Sequence, residues 1–259
     1  MIDFLLSLPT FSGILISMVL ATAVGLMVYG IFYGLIGRHW TDASKGPTEG
    51  LFSVVGILVG LMLSLAFTDV VSEMRTIEKA VQREGSAIAD LFNGLRQFDD
   101  EGTQEIRFEL IKYVQAIIED DWVALAGDQL GQKTGILRKR ISRSIVELYP
   151  HTEVQKELWS RLLSDLDAVS NYRLIRLDNA LAKPPAYVYT VFFGFLVTMA
   201  CFGAFRPKVP LVALASLYPA FFGLVLYLIL ALSDPFQGGF GVSPTTFEHL
   251  AETLLSESG

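Results

Sequence analysis

The uncharged stretch from Leu51 to Phe67 presents two side-chain faces suited to an ion path. Ser53, Gly56, Gly60 and Ser64, spaced three, four and four residues apart, share one face of a helix and offer room and two hydroxyls. A neighbouring face carries Phe52, Val55, Val59, Leu63 and Phe67 and offers constriction. A ring of apolar side chains gates by dewetting and needs no charge. Small residues let membrane helices approach closely. The small face is therefore expected to pack within a subunit, and the bulkier face to point toward an axis shared by several copies.

Other chemistry finds little support. HExxH, GxSxG, a Walker lysine and a glycine fingerprint after a strand are all missing from the sequence, so an enzyme is not expected. Asp120-Asp121 and Asp99-Asp100-Glu101 read as solvated charge in loops or at helix ends. His39, His151 and His249 lie far apart without metal-ligand spacing, and Cys201 is the lone cysteine, so neither a metal nor a cofactor is expected. Arg138, Lys139, Arg140 and Arg143 form one basic run, read as a solvated helix face, with attraction to anionic lipid as the alternative. No basic stripe dominates a chain of net charge −7, so no nucleic-acid partner is expected.

The elements that must position these faces are helices in a bilayer. Phe11 to Ile36, Leu51 to Phe67, Ala186 to Phe205 and Val209 to Leu232 contain no Lys, Arg, Asp, Glu or His. About 20 such residues cross about 30 Å of hydrocarbon. The expected fold is an all-α integral membrane protein in which two pairs of transmembrane helices flank a soluble helical bundle. Residues 1–68 form the first pair, 69–183 the soluble domain, 184–232 the second pair and 233–259 a tail. The N-terminal span reads as a retained membrane helix rather than a cleaved signal, since the first ten residues carry Asp3 and no Lys or Arg.

Within this frame, Gly13, Ser17, Ala21 and Gly25 recur every four residues, with Gly30 and Gly34 as a further pair, and predict close helix packing. Gly37 to Glu49 reads as a loop. The second span runs on into water, because Val70, Met74, Ile77, Val81, Ile88 and Leu91 continue an apolar stripe. Ile106 to Trp122 and Ile136 to Leu148 read as helices, and Thr152 with Gln155 as a capping box opening another. Arg206-Pro207-Lys208 makes a tight hairpin, and Pro219 interrupts the last span. In the tail, Phe247, Leu250 and Leu254 share a face, and the turn Asp234-Pro235-Phe236 is expected to set how the tail docks on the domain.

Two passages carry a family likeness: LFSVVGILVGLMLSLAF followed by Arg75, and SDPFQGGFGVSP from Ser233 to Pro244. Their order and spacing resemble the bestrophin-like family of bacterial membrane proteins. Bestrophins are pentameric anion channels with a hydrophobic neck on the second span and a cytosolic helical domain. The resemblance thus implies a multi-pass protein of the bacterial inner membrane, with its helical domain in the cytoplasm. It also implies a homo-oligomer, a pentamer by analogy, with lipid and small inorganic ions as partners. Calcium gating is not carried over, because neutral sequence separates Asp234 from Glu248 and leaves no acidic clasp. Short-loop charges (Arg38, Lys45, Arg206, Lys208) would instead place the domain outside. Two alternatives remain open on the residues alone. One is a non-conducting sensor or scaffold signalling through the bundle. The other is a stator-like subunit, against which stands the lack of a membrane-embedded carboxylate.

Overall fold

The computed structural model describes residues 9–39, 42–98, 100, 102–127, 129–180, 187–206, 209–236 and 240–258. Among them all regular structure is helical. In chain order the helices are α1 (Thr10–Leu35), α2 (Asp42–Phe98), α3 (Thr103–Ala116), α4 (Trp122–Leu125), α5 (Gln132–Val146), α6 (Glu153–Ala180), α7 (Tyr187–Phe202), α8 (Val209–Leu232) and α9 (Thr245–Ser258). A single π-helical turn, Ile117–Asp121, joins α3 to α4. The chain forms two compact units, one of Met1–Ser72 with Lys183–Phe240 and one of Glu73–Ala182 with Gly241–Gly259.

The first unit is built by apolar helices. α1, the stretch of α2 from Ser53 and the stretch of α8 from Ala215 are long and apolar enough to cross a bilayer. Among the described residues the third apolar stretch is helical over the 16 residues of α7 and gives way to a turn at Gly203. At 1.5 Å per residue it covers about 24 Å. The small stripe of α1 packs on α8. A Cβ at Gly13 would come within 2.6 Å of the Tyr227 ring, one at Gly25 within 2.9 Å of Pro219, and one at Gly223 within 2.6 Å of the Ser17 carbonyl. The Ser17 hydroxyl donates to the Gly223 carbonyl at 2.8 Å, an interhelical bond that close approach permits. Gly30 and Gly34 have no such neighbour within 4 Å among the described residues.

The second unit is a helical bundle around the part of α2 from Glu73 onward. Ile77, Ile88, Leu91 and Leu95 of that helix are buried with Leu110, Val114, Ile145, Leu162 and Val169. The predicted capping box forms: the Gln155 amide donates to Thr152 Oγ1 at 3.1 Å, and the Thr152 amide donates to Gln155 Oε1 at 3.2 Å. The loop expected over Gly37 to Glu49 is shorter than predicted. A three-residue 3₁₀ turn ends at His39 and α2 already begins at Asp42, so Gly46 and Pro47 lie in its opening turns. α9 buries Phe247, Ala251 and Leu254, which makes the end of the chain part of this unit.

Candidate functional site

Within the chain, α2 packs through its bulkier face, while Ser53, Gly60 and Ser64 of its small face are exposed. Val59 is 4 % exposed and packs with Val191, Phe195 and Met199 of α7 and Phe222 of α8. Val55 and Leu63 flank that cluster, while Phe67 lies against Ala66, Val70 and Ile229. Phe195 and Phe222 stack at 4.2 Å between centroids behind Val59. The side chain of Phe52 falls outside the described residues. The bulkier face is thus the intramolecular one. Meanwhile Ser53, Gly60 and Ser64 are exposed and Gly56 is half-buried, and a Cβ at Gly56 or Gly60 would meet nothing within 4 Å. The physical reason lies on the partner helix. Gly194 of α7 supplies the small residue, since a Cβ there would sit 2.6 Å from a Val59 methyl. One small residue per crossing suffices for close packing, and here α2 contributes the larger one.

The exposed side of α2 has a clear composition. On a helix of 3.6 residues per turn, Ile57, Leu61, Ser64 and Thr68 lie within about 40° of the line opposite Val59, Ala66 and Val70. Ile57 is 65 % exposed and Leu61 58 % exposed. One turn further, Ser64 and Thr68 are exposed hydroxyls, and Thr68 Oγ1 donates to the Ser64 carbonyl at 2.9 Å. Beside this stripe, Gly60, Leu63, Ser64 and Phe67 border an apolar groove of about 270 Å³ closed on its other side by Phe221 and Val225.

A family model described as the Bestrophin-like domain matches residues 17–247. The chain belongs to the bestrophin-like family. Among solved structures it is similar to a bacterial bestrophin homologue from Klebsiella pneumoniae, with 15 % identity over 95 % of this chain and 98 % of that one, at a TM-score of 0.67. A single-substitution variant of that homologue gives 15 % identity, 95 % and 99 % coverage and a TM-score of 0.68. No curated protein matches the sequence. At this identity the likeness to the solved structures is one of fold, so the roles of side chains in this bestrophin-like chain must come from its own geometry.

The helical unit holds a buried ionic cluster that sequence reasoning missed. Arg176 Nε donates to Glu84 Oε2 at 2.8 Å, and Nη2 donates to Glu84 Oε1 at 3.2 Å and to Asp121 Oδ2 at 3.1 Å. All three residues are 0 % exposed. The Tyr113 hydroxyl donates to Glu84 Oε1 at 3.4 Å, Thr134 Oγ1 donates to Asp121 Oδ1 at 2.5 Å, and Arg173 Nη2 donates to Thr134 Oγ1 at 3.1 Å. The guanidinium of Arg176 also faces the rings of Trp122 and Phe247, at 5.7 and 5.8 Å. Burial pushes the Tyr113 phenol well up, and the Glu84 carboxylate adds to it, so the phenol keeps its proton. Burial alone would lower Arg176, but Glu84 and Asp121 outweigh it and the guanidinium stays charged.

Two acids face two arginines, so the cluster is balanced. It acts as a clamp joining α2, the π-helical turn, α5 and α6, with Phe247 bringing in α9. Asp120-Asp121 is accordingly no solvated pair. Asp121 is a buried ligand of Arg176, and Asp120 Oδ2 accepts from the Lys133 amide at 2.8 Å and caps α5. Gly131 must be glycine there, because a Cβ would run into both carboxylates. A signal was present in the sequence. Glu84 interrupts the apolar stripe between Val81 and Ile88, and Arg173 and Arg176 interrupt the one between Val169 and Leu177. A charge on a core stripe needs a buried partner.

The remaining candidates are dispersed. The basic run on α5 is partly engaged: Arg138 donates to Ser170 Oγ at 3.1 Å and Arg140 pairs with Glu109 at 3.2 Å, while Lys139 and Arg143 are exposed. Pro235 and Phe236 are buried in the first unit just past α8, whereas in the helical unit α9 docks through Phe247, which meets Trp122 edge-on at 5.9 Å. Among the described residues no group of three or more His, Cys, Asp or Glu is placed to hold a metal ion.

Proposed function

We propose that this bestrophin-like chain is a subunit of a homo-oligomeric channel for small inorganic anions in the bacterial inner membrane. α1, the upper part of α2, α7 and α8 cross the bilayer as two pairs, and the helical unit faces the cytoplasm. Copies gather so that α2 of each turns its exposed side to a common axis. The observation that carries this reading is the stripe Ile57, Leu61, Ser64 and Thr68, uncharged, exposed and opposite the packing face of the same helix. Rings of Ile57 and Leu61 form the hydrophobic neck, in place of the rings of Val59, Leu63 and Phe67 expected from sequence, whose side chains are engaged within the subunit. Dewetting at such a neck closes the path without a charged gate. The groove beside Gly60 and Ser64 takes side chains from the next copy. The resemblance to pentameric bestrophins supports a pentamer and the choice of anions.

Reconstitution tests the reading. The full chain in liposomes loaded with chloride is expected to release it when valinomycin supplies the compensating potassium current, and the purified particle is expected to have the mass of several copies. Intact oligomers that leave chloride trapped would favour the scaffold reading instead.

A further inference from the structure

Two helices of the second unit carry opposite charge. α5 holds Lys133, Arg138, Lys139, Arg140 and Arg143 and no acid, while α9 holds Glu248, Glu252 and Glu257 and no Lys or Arg. Both pack against α3 and turn another side to solvent. At about 100° per residue, Ile136, Lys139, Arg143 and Val146 share a strip of α5 about 80° wide, and Glu248, Glu252 and Leu255 share one of α9 about 60° wide. All seven are exposed, including the apolar Ile136, Val146 and Leu255 at 60 %, 57 % and 48 %. The strips match in spacing. The two cations stand four residues apart, as do the two acids, and each pair is flanked three residues away by an exposed apolar side chain. Neither strip is satisfied within the chain. Among the described residues Lys139, Arg143 and Glu248 enter no ion pair, and Glu252 faces His249 of its own helix at 3.8 Å. Their neighbours do find partners: Arg140 pairs with Glu109 at 3.2 Å and Glu257 with Arg96 at 3.1 Å.

We infer that the α5 strip of one copy docks on the α9 strip of the next copy, so that the helical units join head to tail. This rests on the homo-oligomer of the reading above and adds the surfaces through which its helical units meet. The charges select this pairing. α5 on α5 would set cations against cations, and α9 on α9 acids against acids, so both two-fold contacts are repelled and only α5 on α9 is attracted. A contact between two different surfaces leaves one of each free on every copy and repeats until the ring closes. Exposed ion pairs are individually weak. Copies held in one membrane assembly meet at high effective concentration, however, so weak pairs suffice to choose the neighbour and its register. The match holds in both helix directions: an antiparallel contact brings Ile136 to Leu255, a parallel one Val146 to Leu255. Salt loosens it, because the Debye length falls from about 30 Å at 0.01 M to about 3 Å at 1 M.

Disulfide cross-linking of the full chain in vesicles tests the contact while keeping all four charges. In a Cys201→Ala background, Leu255→Cys is combined with Ile136→Cys or with Val146→Cys, oxidised, and run on a non-reducing denaturing gel. One of the two pairs is expected to give a ladder that continues past the dimer. Its yield should fall by about tenfold on adding K139E/R143E or E248K/E252K, and should return when both charge reversals are present together. All of these side chains are exposed, so the variants should melt like the parent. A yield indifferent to either reversal, a double reversal that fails to restore it, or a ladder that stops at the dimer would overturn the contact. So would the absence of any ladder from particles whose mass is that of several copies, and the oligomer would then stand without it. A particle with the mass of one chain would remove the oligomer and this contact together.

Discussion

Arg176→Met will destabilise the protein by about 3–5 kcal/mol, because it leaves the Glu84 carboxylate buried without its counter-charge and Asp121 with Arg173 alone, at 3.5 Å. Removing one partner of a buried pair costs far more than the pair itself contributes. Glu84, 0 % exposed, has lost its water on folding and keeps no cation of its own. Glu84 additionally keeps only the 3.4 Å hydrogen bond from Tyr113. The expected readout is a melting temperature lowered by roughly 10 °C for the detergent-purified chain. Proteolysis at the tail should also become faster, since Phe247 loses the guanidinium it faces. Two companion variants separate pairing from packing. Glu84→Gln keeps one hydrogen bond and should cost less. The double replacement Glu84→Leu with Arg176→Met removes both charges and should recover part of the loss, as replacement of a buried ion pair by apolar residues often does. An Arg176→Met protein with unchanged melting would mean that the cluster is wet or broken in solution.

The second large effect concerns the neck. Ile57→Ala and Leu61→Ala should each raise single-channel current. If each substitution lowers the dewetting barrier by about 1.4 kcal/mol, the gain is about tenfold. Neither should harm the fold, since both side chains are more than half exposed within the subunit. Leu63→Ala and Phe67→Ala should do the opposite. Both side chains are partly buried against α7 and α8. Each substitution should cost roughly half of the 2–5 kcal/mol of a core truncation and leave the current of surviving channels near the wild-type value. Larger currents from Leu63→Ala with none from Leu61→Ala would restore the face assignment expected from sequence.

That contrast locates the limit of what the sequence revealed. Uncharged stretches announced the apolar helices, and periodicity announced that α2 runs unbroken past Phe67 with its apolar stripe inward. The Thr152–Gln155 cap was legible because all of its parts lie within one turn. Gly13, Ser17 and Gly25 were rightly taken as a packing stripe against another helix. The same rule, applied to Ser53, Gly56, Gly60 and Ser64, points to a face that is exposed within the chain at Ser53, Gly60 and Ser64. Which side of a crossing supplies the small residue depends on the partner, here Gly194, more than 130 positions away. The ionic cluster was hidden for a related reason. Glu84, Asp121 and Arg176 meet only in three dimensions, and the π-helical turn that carries Asp121 inward has no periodic signature of its own. The likeness to the family spoke for the fold, but not for which side of α2 is free.

Cysteine accessibility along α2 addresses the channel face most directly. In a Cys201→Ala background, single cysteines at positions 57, 59, 61, 63, 64, 66 and 68 would be exposed to a charged, water-soluble thiol reagent during current recording. Modification at 57, 61, 64 and 68 should block or reshape the current, while 59, 63 and 66 stay silent. Block confined to 59, 63 and 66, with the other four inert, would contradict the account.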